Sequence, residues 1–206
     1  YFEKLEDKSA ILNTYIGIGN VFAIQDRNED ALINFRKALQ LSEELNDQVK
    51  IADLCNNIGI VLKNKGDYPA AIEAYMKGLR IAEKTGDMET VSYLNSNIGV
   101  VYQSSKQYAE ALSYYLRSLK IDEEQQNEYG ITTSYNSIAT LFAEQKKYEE
   151  ALHYFNMSIK KSEEIGLKPE LLNSYRNVGQ LYMQSGNYPE ALTYLNKALE
   201  LNKELE

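Results

Sequence analysis

Apolar residues recur along the chain with the period of a helix, in paired segments of about 16–18 residues divided by short polar turns. In one such segment Cys55, Ile58, Gly59 and Leu62 share a sector about 100° wide, while Asp53, Asn56, Asn57, Ile60, Lys63 and Asn64 share the opposite one. The first sector is built to pack and the second to face outward. No segment of useful length alternates apolar and polar residues, which argues against strands and excludes a bladed β-propeller.

The paired segments are copies of one unit. Ala31, Ala71, Ala111, Ala151 and Ala191 fall at an unbroken spacing of 40 residues, each followed four residues later by Phe35, Tyr75, Tyr115, Phe155 or Leu195. Twelve residues ahead of each alanine stands Gly19, Gly59, Gly99, Ala139 or Gly179, preceded by Ile18, Ile58, Ile98, Ile138 or Val178. Tyr68, Tyr108, Tyr148 and Tyr188 form a turn column, and Ala38, Gly78, Ser118, Ser158 and Ala198 a third small column. Small residues let helix axes approach to roughly 8–10 Å, and the aromatic columns fill the space beside them. Gly66 and Gly186 stand where a helix should stop, and Pro69 and Pro189 where the next should start. Asn46-Asp47, Gly86-Asp87, Asn127 and Gly166 mark the second boundary.

These motifs resemble the tetratricopeptide repeat. Tyr15-x2-Ile18-Gly19-x2-Phe22 followed by Ala31-x3-Phe35 matches its signature with Tyr for the usual Trp, and the pattern returns at Tyr135 to Phe155 and at Tyr175 to Ala191. The proline that usually ends the second helix is replaced by Glu43, Glu83, Glu123, Glu163 and Lys203, so that helix should run on, giving 40 residues per repeat. The chain is in this respect similar to the long-helix variants of kinesin light chains, Pins-type adaptors and bacterial signalling proteins. HEAT repeats share the length, but their small-residue columns differ. The resemblance implies an all-α fold, a right-handed α-solenoid of antiparallel helix pairs. A single array is expected over residues 1–206, with repeats at about 12–51, 52–91, 92–131, 132–171 and 172–206, and with residues 1–11 a helical remnant of a preceding repeat. Both ends read as cut, the native N-terminus being absent, and self-association through uncapped ends is expected, because Leu192, Leu195 and Leu199 would lack a following repeat.

The outward sector holds the candidate binding chemistry. Asparagine is a poor helix former, yet Asn57, Asn97 and Asn177 recur at one column, with Ser137, and Asn56 and Asn136 at the next, with Ser96 and Arg176. In the resembled family the first helix of each repeat lines a concave groove, which implies that this ladder faces it. An amide offers donor and acceptor together and so matches an extended peptide backbone. The expected peptide-binding residues are therefore Asn56, Asn57, Asn64, Asn97, Asn136 and Asn177, with Tyr93, Lys63, Gln103, Gln180 and Arg176 selecting side chains. The alternative is that these amides bond between neighbouring helices. The family's carboxylate clamp is incomplete: Asn20 and Asn57 match its asparagines, but Ile16, Tyr93 and Asn97 stand at its basic positions. A polar, near-neutral ligand segment is expected, since Asp53, Lys63, Glu144 and Arg176 balance.

Composition narrows the partners. Thirty acidic against 22 basic residues give a net charge of −8, which disfavours nucleic acid and anionic membranes. No apolar run approaches the roughly 18 residues of a membrane span, so no membrane insertion is expected. The cytoplasm is the favoured compartment, and one cysteine allows no internal disulfide.

No catalytic, metal or cofactor constellation emerges. His153, the only histidine, is expected on the surface, and Cys55 occupies a packing column as an inert thiol. The "GIGN" at 17–20 lacks a third glycine and a preceding strand, so it is not a phosphate cradle. The sequon at Asn156 lies within a helix with its Ser158 in a packing column. The expected function is a non-catalytic protein-protein interaction module that binds an extended peptide or partner segment; the alternative is a sensor region controlling an attached output domain.

Overall fold

A computed structural model describes the backbone of residues 2–205 and the side chains of residues 7–205. Among the described residues there are ten α-helices and no strand: α1 (Phe2–Ile24), α2 (Asn28–Leu45), α3 (Gln48–Asn64), α4 (Tyr68–Thr85), α5 (Met88–Ser104), α6 (Tyr108–Glu124), α7 (Glu128–Glu144), α8 (Tyr148–Ile165), α9 (Lys168–Gln184) and α10 (Tyr188–Leu205). This is the expected all-α helical repeat solenoid, organised as two compact units, residues 1–106 and 107–206. In the first, α1 pairs with α2 and α3 with α4, while α2 packs on α3 and α4 on α5. In the second, α7 pairs with α8 and α9 with α10, while α6 packs on α7 and α8 on α9.

The turns explain where the helices stop. At Asn46 and Gly86 the backbone turns left-handed (φ 55° and 75°), which lets the amides of Asp47 and Asp87 return to the carbonyls of Ser42 and Ala82. Each aspartate then caps the next helix, Asp47 accepting from the Lys50 amide at 3.0 Å and Asp87 from the Thr90 amide at 3.1 Å. Asp26, Lys106, Gln126 and Lys146 take the same left-handed conformation without glycine.

The first boundary differs from expectation. α1 runs unbroken from Phe2 to Ile24, so the segment expected as a separate remnant of an earlier repeat is continuous with the first inner helix. The position corresponding to Asn46 and Gly86 is Glu6, whose side-chain surroundings lie outside the described residues.

Each unit's core follows the columns. Ala31, Ala71, Ala111 and Ala151 are fully buried, as is the aromatic column through Phe35, Tyr75, Tyr115 and Phe155. The small column ahead of them is required by close approach. A Cβ on Gly59 would meet the Tyr75 ring at 2.4 Å, and one on Gly19 the Phe35 ring at 2.5 Å. Cys55 is buried, His153 is exposed against the edge of Tyr154, and Ser158 lies in the interior of its helix pair.

Gly130 shows how context reverses a propensity. Alanine in a helix normally stabilises relative to glycine by about 0.5–1 kcal/mol. Here a Cβ would lie 2.4 Å from the Asp122 carboxylate, which is buried and receives the Asn127 side-chain amide at 2.9 Å. Gly130→Ala is therefore expected to destabilise by about 1–3 kcal/mol. Chemical denaturation checks this, and a gain in stability would show that the carboxylate yields easily.

Candidate functional site

The outward-facing residues of the inner helices divide into those used by the fold and those left open. In the first unit α3 and α5 are tied together: the Tyr93 hydroxyl donates to Asp53 Oδ1 at 2.9 Å, and Asn97 Nδ2 donates to Asn56 Oδ1 at 2.8 Å. Burial first, then the bond to Asp53, pushes the Tyr93 phenol up to about 12. Asn56, Asn97 and Tyr93, expected to read a ligand, thus spend bonds on each other and on Asp53. The reason is register, since residues 40 or 41 apart stand side by side on successive inner helices.

Asn136 is drawn further in. Its Nδ2 donates to Ser158 Oγ at 2.7 Å, and its Oδ1 accepts from Ser174 Oγ at 3.1 Å. Ser158 and Ser174 are fully buried and lie 3.0 Å apart. Both ends of the Asn136 amide, expected to contact a ligand, thus hold α7, α8 and α9 together.

Each unit has a hollow on its inner helices. The first, about 310 Å³, lies between α1 and α3 and is lined by Asn20, Ala23, Ile24, Phe35, Asn57, Ile60 and Val61. The second, about 200 Å³, lies between α7 and α9 and is lined by Thr140, Ala143, Glu144, Phe155, Asn177, Gln180, Leu181 and Gln184. They are the same place in two repeats. Adding 120 to Asn20, Ala23, Ile24, Phe35, Asn57, Ile60 and Val61 gives Thr140, Ala143, Glu144, Phe155, Asn177, Gln180 and Leu181. An aromatic ring from the outer helix forms the floor, and an asparagine stands in the wall. Asn57 and Asn177 make no side-chain hydrogen bond among the described residues.

Their chemistry differs. The first hollow has no charged residue in its lining and suits an apolar side chain. The second carries two glutamines and Glu144, whose charge raises the pKa of the buried Tyr115 phenol, after the larger effect of burial. It suits a side chain that donates hydrogen bonds or carries positive charge.

Of the sequence-derived candidates, Asn57, Asn177 and Gln180 line hollows. Lys63, Asn64, Gln103 and Arg176 line neither, though Asn64 and Arg176 are exposed and Lys63 and Gln103 half-buried. Sequence reasoning did not select Thr140, Gln184, Ile24 or the floors Phe35 and Phe155 as binding residues. The 40-residue register could have found them, since each occupies a position equivalent to a residue of the other hollow or one turn beyond it. No group of three His, Cys, Asp or Glu among the described residues could hold a metal ion. No described helix is long and apolar enough to cross a membrane.

A tetratricopeptide repeat family model matches residues 10–84, 89–164 and 130–204, and the chain belongs to that family. No curated protein matches the sequence. Among solved structures, BtubC (BKLC) from P. vanneervenii is similar at 16% identity and a TM-score of 0.79, over 98% of this chain and 91% of that one. A putative kinesin light chain from Podosopora anserina with nearly identical TPR-like repeats aligns at 13% identity and a TM-score of 0.76, over 94% and 95%. A STAND protein with a tetratricopeptide repeat sensor from Pyrococcus horikoshii aligns at 19% identity and a TM-score of 0.79, over 93% of this chain but 30% of that one. These likenesses establish the fold.

Proposed function

We propose that this chain is a non-catalytic interaction module that binds an extended segment of a partner protein on its inner helices. Membership of the tetratricopeptide repeat family supports protein-protein interaction. The observation that carries the finer reading is the recurrence of one hollow at one repeat position, each with an unspent asparagine amide beside an aromatic floor. The amide bonds the segment's backbone and the hollow receives a side chain, apolar at Phe35 and hydrogen-bond-donating or basic at Phe155. This replaces the expectation of a polar, near-neutral ligand.

A neutral side chain-to-backbone hydrogen bond contributes about 0.5–1.5 kcal/mol, so Asn57→Ala and Asn177→Ala should each weaken binding roughly two- to twelvefold. The test is a peptide array probed with the wild-type chain, followed by titration of the retained peptides against both variants with melting measured in parallel. Unchanged affinity in both variants would sink the reading, and so would lowered melting with unchanged affinity.

A second reading places the same binding in a sensor region controlling an attached output domain. The fold likeness to a protein with a tetratricopeptide sensor supports it. An output domain encoded in the same reading frame, with activity responding to the array-selected peptides, would distinguish the two.

A further inference from the structure

The two hollows keep one frame and differ in their walls. Ala23, Phe35 and Asn57 of the first recur as Ala143, Phe155 and Asn177 of the second. Ile24 and Ile60 are replaced by Glu144 and Gln180, and Gln184 joins the second lining without a counterpart in the first. Glu144, Gln180 and Gln184 are exposed, so the replacement does not serve the packing of α7 on α9.

The second wall is rich in acceptors. Glu144 carries its one charge, and no Lys, Arg or His stands among the eight lining residues. A carboxylate has about four lone-pair sites, so Glu144 can act on the Tyr115 phenol and still accept from a ligand. Asn177, Gln180 and Gln184 each add a carbonyl oxygen. A neutral amide or hydroxyl from a ligand would bond to these but leave the carboxylate unmatched. An ammonium matches the charge from a single, strongly hydrated point. A guanidinium matches it with five N–H groups spread in a plane, is more weakly hydrated, and can lay its flat face against an aromatic ring.

We propose that the hollow between α7 and α9 is an arginine subsite, in which a ligand guanidinium pairs with Glu144, donates to the side-chain oxygens of Gln180 and Gln184, and lies against the Phe155 ring. This rests on the reading of the hollows as side-chain pockets for an extended segment, and it assigns the residue that the second one selects. The first hollow, with isoleucines at the equivalent places, has nothing to hold a cation and serves as an internal control.

The experiment is NMR titration of the 206-residue chain with Nα-acetyl-arginine methylamide, and with the matching lysine, citrulline and norleucine derivatives, at ionic strength held constant with sodium chloride. The arginine derivative is expected to shift the side-chain amides of Asn177, Gln180 and Gln184 saturably, and to leave that of Asn57 in place. Citrulline, which keeps the shape and loses the charge, should bind about two- to fivefold more weakly, and lysine more weakly than arginine. Glu144→Gln should lower arginine affinity by the same factor and leave citrulline unchanged, a difference that mere loosening of the hollow would not produce. Its site is exposed, so the fold should persist, and melting checks that it does. No saturable shift at high millimolar arginine would overturn the proposal, as would equal affinity for arginine and citrulline, or arginine binding unaltered by Glu144→Gln. Lysine binding as well as arginine would overturn the choice of guanidinium. A capped residue is not an extended segment, so the two readings fail separately. Arginine binding with no peptide retained on the array would leave the subsite standing and sink the extended segment. Array peptides that depend on Asn57 and Asn177 but show no preference for arginine would do the reverse.

Discussion

Raising the pH from 9 to 12 is expected to cost this protein about 5 kcal/mol of stability through two tyrosines. Tyr75 and Tyr115 are 0% and 1% exposed, and burial raises both phenols far above their ordinary range, Glu144 adding to the effect at Tyr115. In the unfolded chain both ionise near pH 10. Between pH 10 and the folded values the native state thus holds more protons than the unfolded state, and stability falls by about 1.4 kcal/mol per pH unit for each group. Below pH 10 neither group makes stability depend on pH. The expected loss is comparable to the whole stability of a modest domain. General repulsion in a chain of net charge −8 would also rise with pH, so a control is needed.

Tyr75→Phe supplies it. The Tyr75 hydroxyl is buried with no hydrogen-bond partner, and Phe35 and Phe155 show that the bare ring fits this column. The variant should gain about 1–2 kcal/mol at pH 7 by removing an unsatisfied hydroxyl, and should lose about half of the alkaline slope that Tyr75 and Tyr115 contribute, the slope from Tyr93 and Tyr175, whose phenols are also raised, remaining. Urea unfolding followed by circular dichroism from pH 8 to 12 measures both. Stability flat to pH 12, or a Tyr75→Phe variant less stable than wild type at pH 7, would contradict the account.

Much of this fold could be read from the sequence because its columns answer to one physical demand. Ala31 and its successors must be small wherever helices touch, and a period of 40 makes that demand visible five times. Boundaries were legible for the same reason, since an Asn or Gly able to turn left-handed followed by a capping Asp or Asn serves one geometry. The site was less legible. Helical period states which way a side chain faces, but not whether a residue on the adjacent helix will take its hydrogen bonds. Asn57 and Asn97 share a column, yet Asn97 bonds to Asn56 while Asn57 lines a hollow. Asn136 looked equivalent to Asn56, but the serines at 158 and 174, where the other repeats place residues such as Gly78 and Leu94, pull it inward. The two hollows became apparent only when positions 120 residues apart proved to line the same space.

Phe155→Ala is expected to be the most damaging single change, costing about 3–5 kcal/mol. Phe155 is 2% exposed and packs in a cluster with Ala139, Ala151, Val178 and Leu181, bordered by Phe142, Tyr154 and Tyr182. Its truncation leaves a void beneath the second hollow that alanines 139 and 151 are too small to fill. Phe155→Leu should cost much less, about 1–1.5 kcal/mol, since Leu195 occupies the same repeat position over Gly179. In a repeat architecture each helix leans mainly on its immediate neighbours, so the damage should be local. Hydrogen exchange on Phe155→Ala should show lost protection in α7, α8 and α9, with the amides of α1 to α4 near their wild-type rates. Equal loss in α1 to α4 would mean that the chain opens as one cooperative body. Localised loss would instead mean that the hollow between α7 and α9 can be loosened, and its ligand affinity altered, while the hollow between α1 and α3 keeps its shape.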